Sequence, residues 1–258
     1  MKVIVLGCGT SSGVPMVGCN CPICASSDPK NSRTRASILI RADRLNILID
    51  TTADLRQQVL RENISRIDAV MYTHTHADHL HGIDDLRSFN FLQRKKIPIY
   101  AFKKDLKHIA KNFGYIFDPT PWGGGKPSLE LVEIDKKFEI KSVKIVPLPI
   151  YHGSLAITGF RTGKFAYLTD CSKIPSSTYP LLKGLDVLIV GALRHKKHST
   201  HFSLAEVITQ AKKIGAKKTY LTHMTHWFDY WGLKYSLPKG IEPAYDGLVI
   251  EVSDAQKF

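Results

Sequence analysis

The sequence predicts a layered α/β protein, because short β-branched runs alternate with helical periodicity along the whole chain. The strand-like runs, most of them bounded by turn residues, cover 37–40, 45–49, 69–72, 97–101, 143–146, 165–168, 187–190 and 218–221. Helical spacing of apolar residues covers 54–62, 79–93, 103–113 and 203–214. Ser203 is a suitable N-cap for the last helix, and residues 1–6 are expected to form the first strand.

Composition and length favour a single soluble domain over residues 1–258, with no internal repeat or long linker to divide it. Apolar residues make up 43% of the chain, yet no uninterrupted apolar stretch approaches the roughly 18 residues that a membrane-spanning helix needs. The apolar start of the chain is also too short for the core of a signal peptide. We therefore expect a cytoplasmic protein without a membrane partner.

The chain is basic, with 36 Lys and Arg against 23 Asp and Glu and a formal net charge of +13. This charge weakly favours anionic, phosphorylated substrates. The basic residues are dispersed in short clusters without interleaved aromatic residues, and a solvated basic surface explains them as well. A nucleic-acid partner is consequently less favoured than a small substrate.

The segment His74-Thr75-His76-Ala77-Asp78-His79 begins where the strand 69–72 should end and a helix should start. Residues two apart in an extended backbone project to the same side, so His74 and His76 can converge on one metal ion. Asp78 and His79 face another direction as the chain turns into the helix, where they could hold a second ion. Four ligand-type residues within six positions are difficult to explain as a set of surface histidines.

Further ligands must come from distant parts of the chain, because six residues cannot complete two coordination spheres. His152, Asp170 and His223 each follow a predicted strand, which places them on one rim of a layered α/β fold. Asp50 ends the strand 45–49 and could orient a ligating imidazole through a hydrogen bond, although an Asp there could equally cap a turn.

These residues resemble the metallo-β-lactamase superfamily, whose His-x-His-x-Asp-His motif is followed by a His, a bridging Asp and a last His. The resemblance implies an αββα sandwich of two mixed β-sheets flanked by helices. It also implies two divalent metal ions, zinc or manganese, between which a hydroxide would form. One ion would be held by His74, His76 and His152, the other by Asp78, His79 and His223, with Asp170 bridging.

Three cysteines lie within six residues, Cys19, Cys21 and Cys24, and His226 lies three residues beyond His223. Three thiolates and one imidazole can complete a closed zinc tetrahedron, so a small zinc-binding loop is predicted at 19–24. Disulfides are the alternative, but they are disfavoured in a reducing cytosol and would leave one of the clustered cysteines unpaired. Cys8 and Cys171 are expected to be small buried residues.

A pair of histidines, His198 and His201, stands just before the helix that Ser203 caps. His201 could protonate a leaving oxygen, or the pair could be solvent-exposed or help to cap the helix. Together with the cysteine cluster, the pair resembles the PhnP-type phosphodiesterases, in which His201 matches the general-acid position. His201 and Asp78 are then the expected catalytic residues, and His198 has no assigned role.

The resemblance implies hydrolysis of a small cyclic or nucleotide-type phosphodiester. A nuclease like tRNase Z is the alternative, weakened because only residues 153–169 separate His152 from Asp170, too few for the tRNA-binding arm of those enzymes. A glyoxalase II-like thioester hydrolase is the third option, although the tail from 240 to 258 looks too short and too β-like. The Trp122 loop at 119–127 could be a lid, and the aromatic cluster 227–231 could be core, a homodimer contact or part of the pocket.

Overall fold

The computed structural model describes residues 1–119 and 125–253. Its strands, in chain order, are β1 Lys2–Gly7, β2 Ser37–Ala42, β3 Leu45–Ile49, β4 Ala69–Met71, β5 Ile97–Ala101, β6 Leu129–Glu133, β7 Phe138–Ile140, β8 Val143–His152, β9 Leu155–Thr162, β10 Phe165–Leu168, β11 Val187–Gly191, β12 Lys218–Thr222, β13 Ile241–Pro243 and β14 Val249–Glu251. The α-helices are α1 Leu55–Arg61, α2 Ala77–Leu80, α3 Leu86–Gln93, α4 Lys103–Asn112, α5 Gly114–Phe117, α6 Leu204–Ile214 and α7 Tyr230–Ser236. Short 3₁₀ helices occur at Pro29–Asn31, Ile83–Asp85 and Tyr179–Leu182.

The strands form two mixed seven-stranded sheets. The first has the order β14-β1-β2-β3-β4-β5-β6, and the second has the order β13-β12-β11-β10-β9-β8-β7. Helices flank the pair of sheets, so the predicted αββα architecture is confirmed. Within the described ranges no helix is both long and apolar enough to cross a bilayer.

The first sheet is buried on both faces. In β1, Val3 and Val5 pack into the interior shared with the second sheet, whereas Ile4 and Leu6 pack with residues of α1, α3 and α4. The side chains of a strand point alternately to opposite faces, so two apolar faces give a nearly continuous apolar run. This is why the strands read as unbroken β-branched runs.

The single helix expected over 79–93 is a wrong prediction. The structure has α2, a 3₁₀ turn and α3 in its place. At the break, Gly82 N–H donates to the carbonyl oxygen of Thr51 over 3.0 Å, and a Cβ on Gly82 would overlap the carbonyl oxygen of Thr52. The interruption therefore comes from a tertiary contact that local periodicity does not report.

The N-cap predicted at Ser203 is confirmed. Ser203 begins α6 with a capping box in which Glu206 accepts from the Ser203 N–H over 2.9 Å. Strand β8 is longer than the predicted run, and β6, β7, β9, β13 and β14 were not expected individually. Residues 120–124, with the proposed Trp122 lid, lie outside the described part of the chain.

Candidate metal centre

The candidate ligands lie at one edge of the two sheets, where parallel strands end. Strands β3, β4 and β5 are parallel neighbours, and so are β10, β11 and β12. Strand β8 runs in the same direction as β10, because both pair antiparallel with β9. Carboxyl ends from both sheets therefore meet at this edge, which brings together side chains nearly 150 positions apart in the sequence.

Three residues at these strand ends share an unusual backbone conformation. Asp50, Asp170 and His223 have φ values of 66°, 51° and 56°, in the left-handed region that L-residues other than Gly rarely adopt. Asp50 directly follows β3 and His223 directly follows β12, whereas Asp170 lies two residues beyond the end of β10. Such strain persists only where surrounding contacts hold it, and it concentrates at functional sites.

One cluster joins Asp78, His79, Asp170 and His223, whose ligand atoms all lie within 4.8 Å of one another. His79 Nε2 lies 3.3 Å from Asp78 Oδ2 and 3.2 Å from Asp170 Oδ1. His223 Nε2 lies 3.6 Å from Asp78 Oδ2 and 3.2 Å from Asp170 Oδ2. Two imidazoles and two carboxylates thus face one small volume.

The remaining three predicted ligands form a second group beside the first. Ring centroids are 4.6 Å apart for His74 and His76, 5.1 Å for His76 and His152, and 5.8 Å for His74 and His152. Ligand atoms of His152, Asp170 and His201 also lie within 4.8 Å of one another. Asp170 therefore lies between the two groups. His201 lies beside them, close to both His152 and Asp170.

Hydrogen bonds on the far side of the rings fix how the imidazoles point. His79 Nδ1 pairs with Asp50 Oδ2 at 2.8 Å, His74 Nδ1 pairs with Thr73 Oγ1 at 3.0 Å, and His152 Nδ1 lies 2.7 Å from the Thr200 carbonyl oxygen. Buried Asp50 also accepts from the Thr73 N–H and hydroxyl, at 2.8 and 2.7 Å. Contacts of this kind orient metal-binding histidines and select the ring nitrogen that is left to ligate.

The opposite nitrogens test whether a cation fits. The Nε2 atoms of His74, His79 and His223 are buried without a hydrogen-bond partner. Buried polar atoms are normally satisfied, so several such atoms aimed at one volume need a common partner. Imidazole nitrogens beside carboxylate oxygens are a donor set suited to divalent transition ions, and the fit is good.

The protonation states are consistent with this donor set. Burial, and then the charge of His79, lowers the pKa of His74 well below its usual value, which leaves a neutral imidazole. Burial would raise the pKa of Asp170, but His223 and His79 hold the pKa of this carboxyl well below its usual value. Burial would lower the pKa of His79, whereas Asp170 and Asp50 raise that pKa well above its usual value. The carboxylates thus favour positive charge at the position that a cation would take.

His201 lies at the side of the centre. Its Nδ1 is 4.0 Å from Asp170 Oδ2, and its ring centroid is 4.5 Å from that of His152 and 4.9 Å from that of His223. Burial, and then the charge of His223, lowers the pKa of His201 to about 3. Its imidazole is neutral at neutral pH, and only a neighbouring anion would raise its pKa enough for it to donate a proton.

The cysteine cluster also comes together in space. The Sγ atoms of Cys19, Cys21 and Cys24 lie 3.2, 3.5 and 3.4 Å from Nδ1 of His226. All three cysteines are free, as are Cys8 and Cys171, which are buried as expected. The backbone N–H of Cys24 is the main cause that lowers the pKa of Cys21 to about 6, which favours a thiolate there, whereas burial raises the pKa of the Cys24 thiol to about 11. The group fits a tetrahedral zinc ion.

Sequence reasoning missed the residue that holds the loop carrying His226. Arg33 is fully buried and donates to the carbonyl oxygens of Thr225 and Phe228 at 3.2 and 2.7 Å, and to Asn31 Oδ1 at 3.1 Å. A single Arg in a turn-rich segment carries no signal of this role. Within the aromatic segment 227–231, Phe228 and Tyr230 are core residues.

Comparison with known proteins agrees with the geometry. The family model of the β-lactamase superfamily domain matches residues 45–224. The crystal structure of a diphosphatase from the PhnP family is 41% identical, has a TM-score of 0.91 and covers 98% of each chain. Zinc-bound PqqB from Methylobacterium extorquens, 19% identical with a TM-score of 0.78 over 98% of this chain and all of its own, shares the fold.

A curated relative, an octanoyltransferase from Porphyromonas gingivalis, is 38% identical over 253 residues, which are 96% of this chain and 51% of the relative. The chain therefore spans about half the length of that relative. The fold and the site are of the metallo-β-lactamase type, a fold that implies divalent metal binding. This chain belongs to the β-lactamase superfamily, and the expected resemblance to the PhnP group is confirmed.

Proposed function

We propose that this chain is a dinuclear metal-dependent phosphodiesterase that cleaves small phosphodiester or diphosphate substrates. The observation that carries the proposal is the position of Asp170 between the two groups of imidazoles: its carboxylate oxygens lie 3.2 Å from Nε2 of His79 and of His223, which both belong to one group. The Asp170 carboxylate also lies within 4.8 Å of a ligand atom of His152. A carboxylate placed between two groups of imidazoles is the arrangement that two adjacent cations require.

In the proposed site, one cation would be held by His74, His76 and His152 and the other by Asp78, His79 and His223, and Asp170 would be shared. Zinc and manganese both suit these ligands. When bound, two such cations neutralise charge on phosphoryl oxygens and lower the pKa of water. The chain's own part is to fix the ligands through Asp50, Thr73 and the Thr200 carbonyl group, which keeps the geometry constant when substrate binds.

Two side chains beside the centre can move protons. Asp78 is partly exposed, and its carboxylate can accept a hydrogen bond from a water molecule beside phosphorus. His201 is placed to donate to the leaving oxygen once an anionic substrate raises the pKa of its imidazole. This donation matters most for alkoxide leaving groups, because they are poor leaving groups without a proton.

The similarity to a PhnP-family diphosphatase supports a phosphorus-centred reaction, since 41% identity extends over 98% of both chains. A phosphodiester and a diphosphate both present a bridging oxygen that leaves from a phosphorus atom bearing negative charge. The basic composition, a net charge of +13, is compatible with either. In the cysteine cluster we propose a structural zinc, which makes three metal ions per chain.

An RNA-processing nuclease is the second candidate, favoured by the positive charge of the chain. Residues 153–169, all described by the structure, form the antiparallel strands β9 and β10 joined by a short turn. That stretch leaves no room for a protruding RNA-binding arm. A titration with tRNA that gave tight, salt-sensitive binding and 3′-end cleavage would favour the nuclease instead.

The first experiment is an activity panel on protein whose metal content has been measured. It compares phosphodiesters, diphosphates, phosphomonoesters, thioesters and lactams at equal concentration. Turnover of the first two classes, with about three metal ions per chain, supports the proposal. Activity confined to thioesters or lactams, or a single metal ion per chain, refutes it.

The role of His201 is tested by His201→Ala on two substrates that differ in leaving group. We expect a loss of roughly 10²–10⁴-fold for an alkyl ester and a much smaller loss for a p-nitrophenyl ester, whose leaving group needs no proton. His108→Ala, at an exposed position on α4, is the control for the removal of an imidazole. Equal losses on both substrates would remove the acid role.

A further inference from the structure

Trp227 lies on a rim that the backbone connects to the candidate centre. Beyond β11, the Leu193 N–H donates to the Phe202 carbonyl oxygen over 3.1 Å, so the chain around 193–194 runs beside the segment that follows His201. The Thr225 N–H and hydroxyl both donate to the Leu193 carbonyl oxygen, at 3.1 and 2.9 Å. The loop after His223 and the loop before His201 therefore lie side by side.

The indole of Trp227 lies on this rim, outside the hydrophobic core. The Arg194 guanidinium lies over its ring, 5.4 Å from the centroid, and the His226 ring lies nearly parallel to it with centroids 5.9 Å apart. Half of Trp227 is exposed, whereas its neighbour Phe228 is 1% exposed. An aromatic ring fixed in orientation by a cation and an imidazole, and still open to solvent, is suited to stacking.

Positive charge accompanies this exposed ring. Arg194 Nε and one of its terminal nitrogens donate to the carbonyl oxygens of Lys196 and Lys197, at 3.2 and 2.9 Å, which folds the turn between β11 and His201. Both lysine side chains are exposed. A flat aromatic surface beside basic side chains matches the chemistry of a nucleotide, which offers a π-face and phosphates.

We propose that Trp227 is the platform on which the base of a nucleoside-containing substrate stacks, with Arg194 fixing the indole and the phosphate group reaching the metal centre. This inference rests on the proposed function and narrows its substrate class to nucleoside phosphodiesters or diphosphates. Trp227 is a specificity-determining residue in this scheme, because it contacts the part of the substrate that does not react.

The other described tryptophan provides a contrast. Trp231 donates through its indole N–H to Asp28 Oδ2 over 2.9 Å, and the Lys30 ammonium lies 4.5 Å from its ring centroid. The same ammonium lies 4.6 Å from the ring centroid of Tyr230 and 4.7 Å from that of Tyr245. Trp231 thus has internal partners for its polar edge and its ring, so Trp231→Phe is a matched control.

The test uses two chromogenic diesters with the same leaving group, thymidine 5′-(p-nitrophenyl phosphate) and ethyl p-nitrophenyl phosphate, on metal-loaded protein. Trp227→Leu keeps an apolar side chain at this position but removes the aromatic face. We expect KM for the nucleoside ester to rise roughly 5- to 100-fold, with little change for the ethyl ester. Trp227→Phe should retain most of the discrimination, and Trp231→Phe should retain all of it. Equal changes for both esters in Trp227→Leu would overturn the inference.

Binding provides a readout that does not depend on turnover. AMP should quench the tryptophan fluorescence of the wild-type protein and of Trp231→Phe, and should leave Trp227→Leu unquenched. Equal quenching of Trp227→Leu, or no AMP binding by the wild type, would refute the base platform. If the wild type hydrolyses neither diester, the proposed function fails, and the AMP titration still decides the inference about Trp227.

Discussion

Asp50→Asn is the sharpest test of how the candidate centre is oriented. Asp50 is fully buried, and one of its oxygens pairs with His79 Nδ1 at 2.8 Å and with the Thr73 hydroxyl at 2.7 Å. Its other oxygen accepts from the Thr73 N–H over 2.8 Å. Asn has the same shape but one acceptor oxygen, so its NH₂ group must face either the Thr73 N–H or the pair formed by His79 and the Thr73 hydroxyl, all of which donate to the carboxylate.

The expected magnitude follows from that replacement. Where the NH₂ group faces His79 it donates, so His79 must present an unprotonated Nδ1 and carry its proton on Nε2, the atom that faces Asp78 and Asp170. A protonated Nε2 cannot ligate a cation. Loss of such an outer contact typically lowers metal affinity about 10–100-fold, which is about 1.4–2.7 kcal/mol. We expect a loss near the upper end, because the carboxylate charge disappears as well.

The assay is a competition titration with a chromophoric chelator, in which the metal content of wild-type and Asp50→Asn protein is compared at equal free metal. The zinc proposed for the cysteine cluster serves as an internal control and should be retained. Asp135→Asn, at an exposed position, removes the same charge from the surface and should leave both sites unchanged. Wild-type affinity in Asp50→Asn would refute the inference that Asp50 selects the ligating nitrogen.

Two further predictions concern the stability contributed by residues outside the proposed metal ligands. Gly82→Ala should lower the free energy of unfolding by about 3 kcal/mol or more, or prevent folding, because the new Cβ overlaps the Thr52 carbonyl oxygen. A melting temperature within about a degree of the wild-type value would contradict this close approach. Burial raises the pKa of Asp246 above its usual 3.8, although Thr34 and Arg61 act to lower it. The folded state then holds a proton more tightly than the unfolded state, so this carboxyl favours folding most below pH 4 and less as the pH rises through its folded-state pKa. Urea unfolding at pH 5 and pH 8 should show that the free energy of unfolding of the wild type, relative to that of Asp246→Asn, falls as the pH rises. A relative stability that rises with pH would mean that folding lowers the pKa of Asp246 instead.

The sequence was informative where the chemistry is local. Within the six-residue histidine motif, the spacing of the ligand-type residues predicts that two of them project to one side and two to another. In the same way, β-branched runs with turn residues at their ends predict strands. Local signals also gave the Ser203 cap, since a capping box lies within four consecutive residues. They failed at Gly82, where a carbonyl group from another loop interrupts a helix that periodicity favours.

Distances between residues far apart in the sequence were decided by the tertiary structure. Sheet pairing brings Asp170 between His79 and His223, and a buried guanidinium from Arg33 holds the loop that carries His226. No periodicity within a short window encodes those separations. Residue types and their spacing over a few positions were enough to identify the groups that could bind metal and the layers that carry them, because these features are local. Only the folded sheets decided which atoms face one another and that Trp227 lies beside Arg194, because contacts of this kind depend on strand order and register rather than on neighbours along the chain.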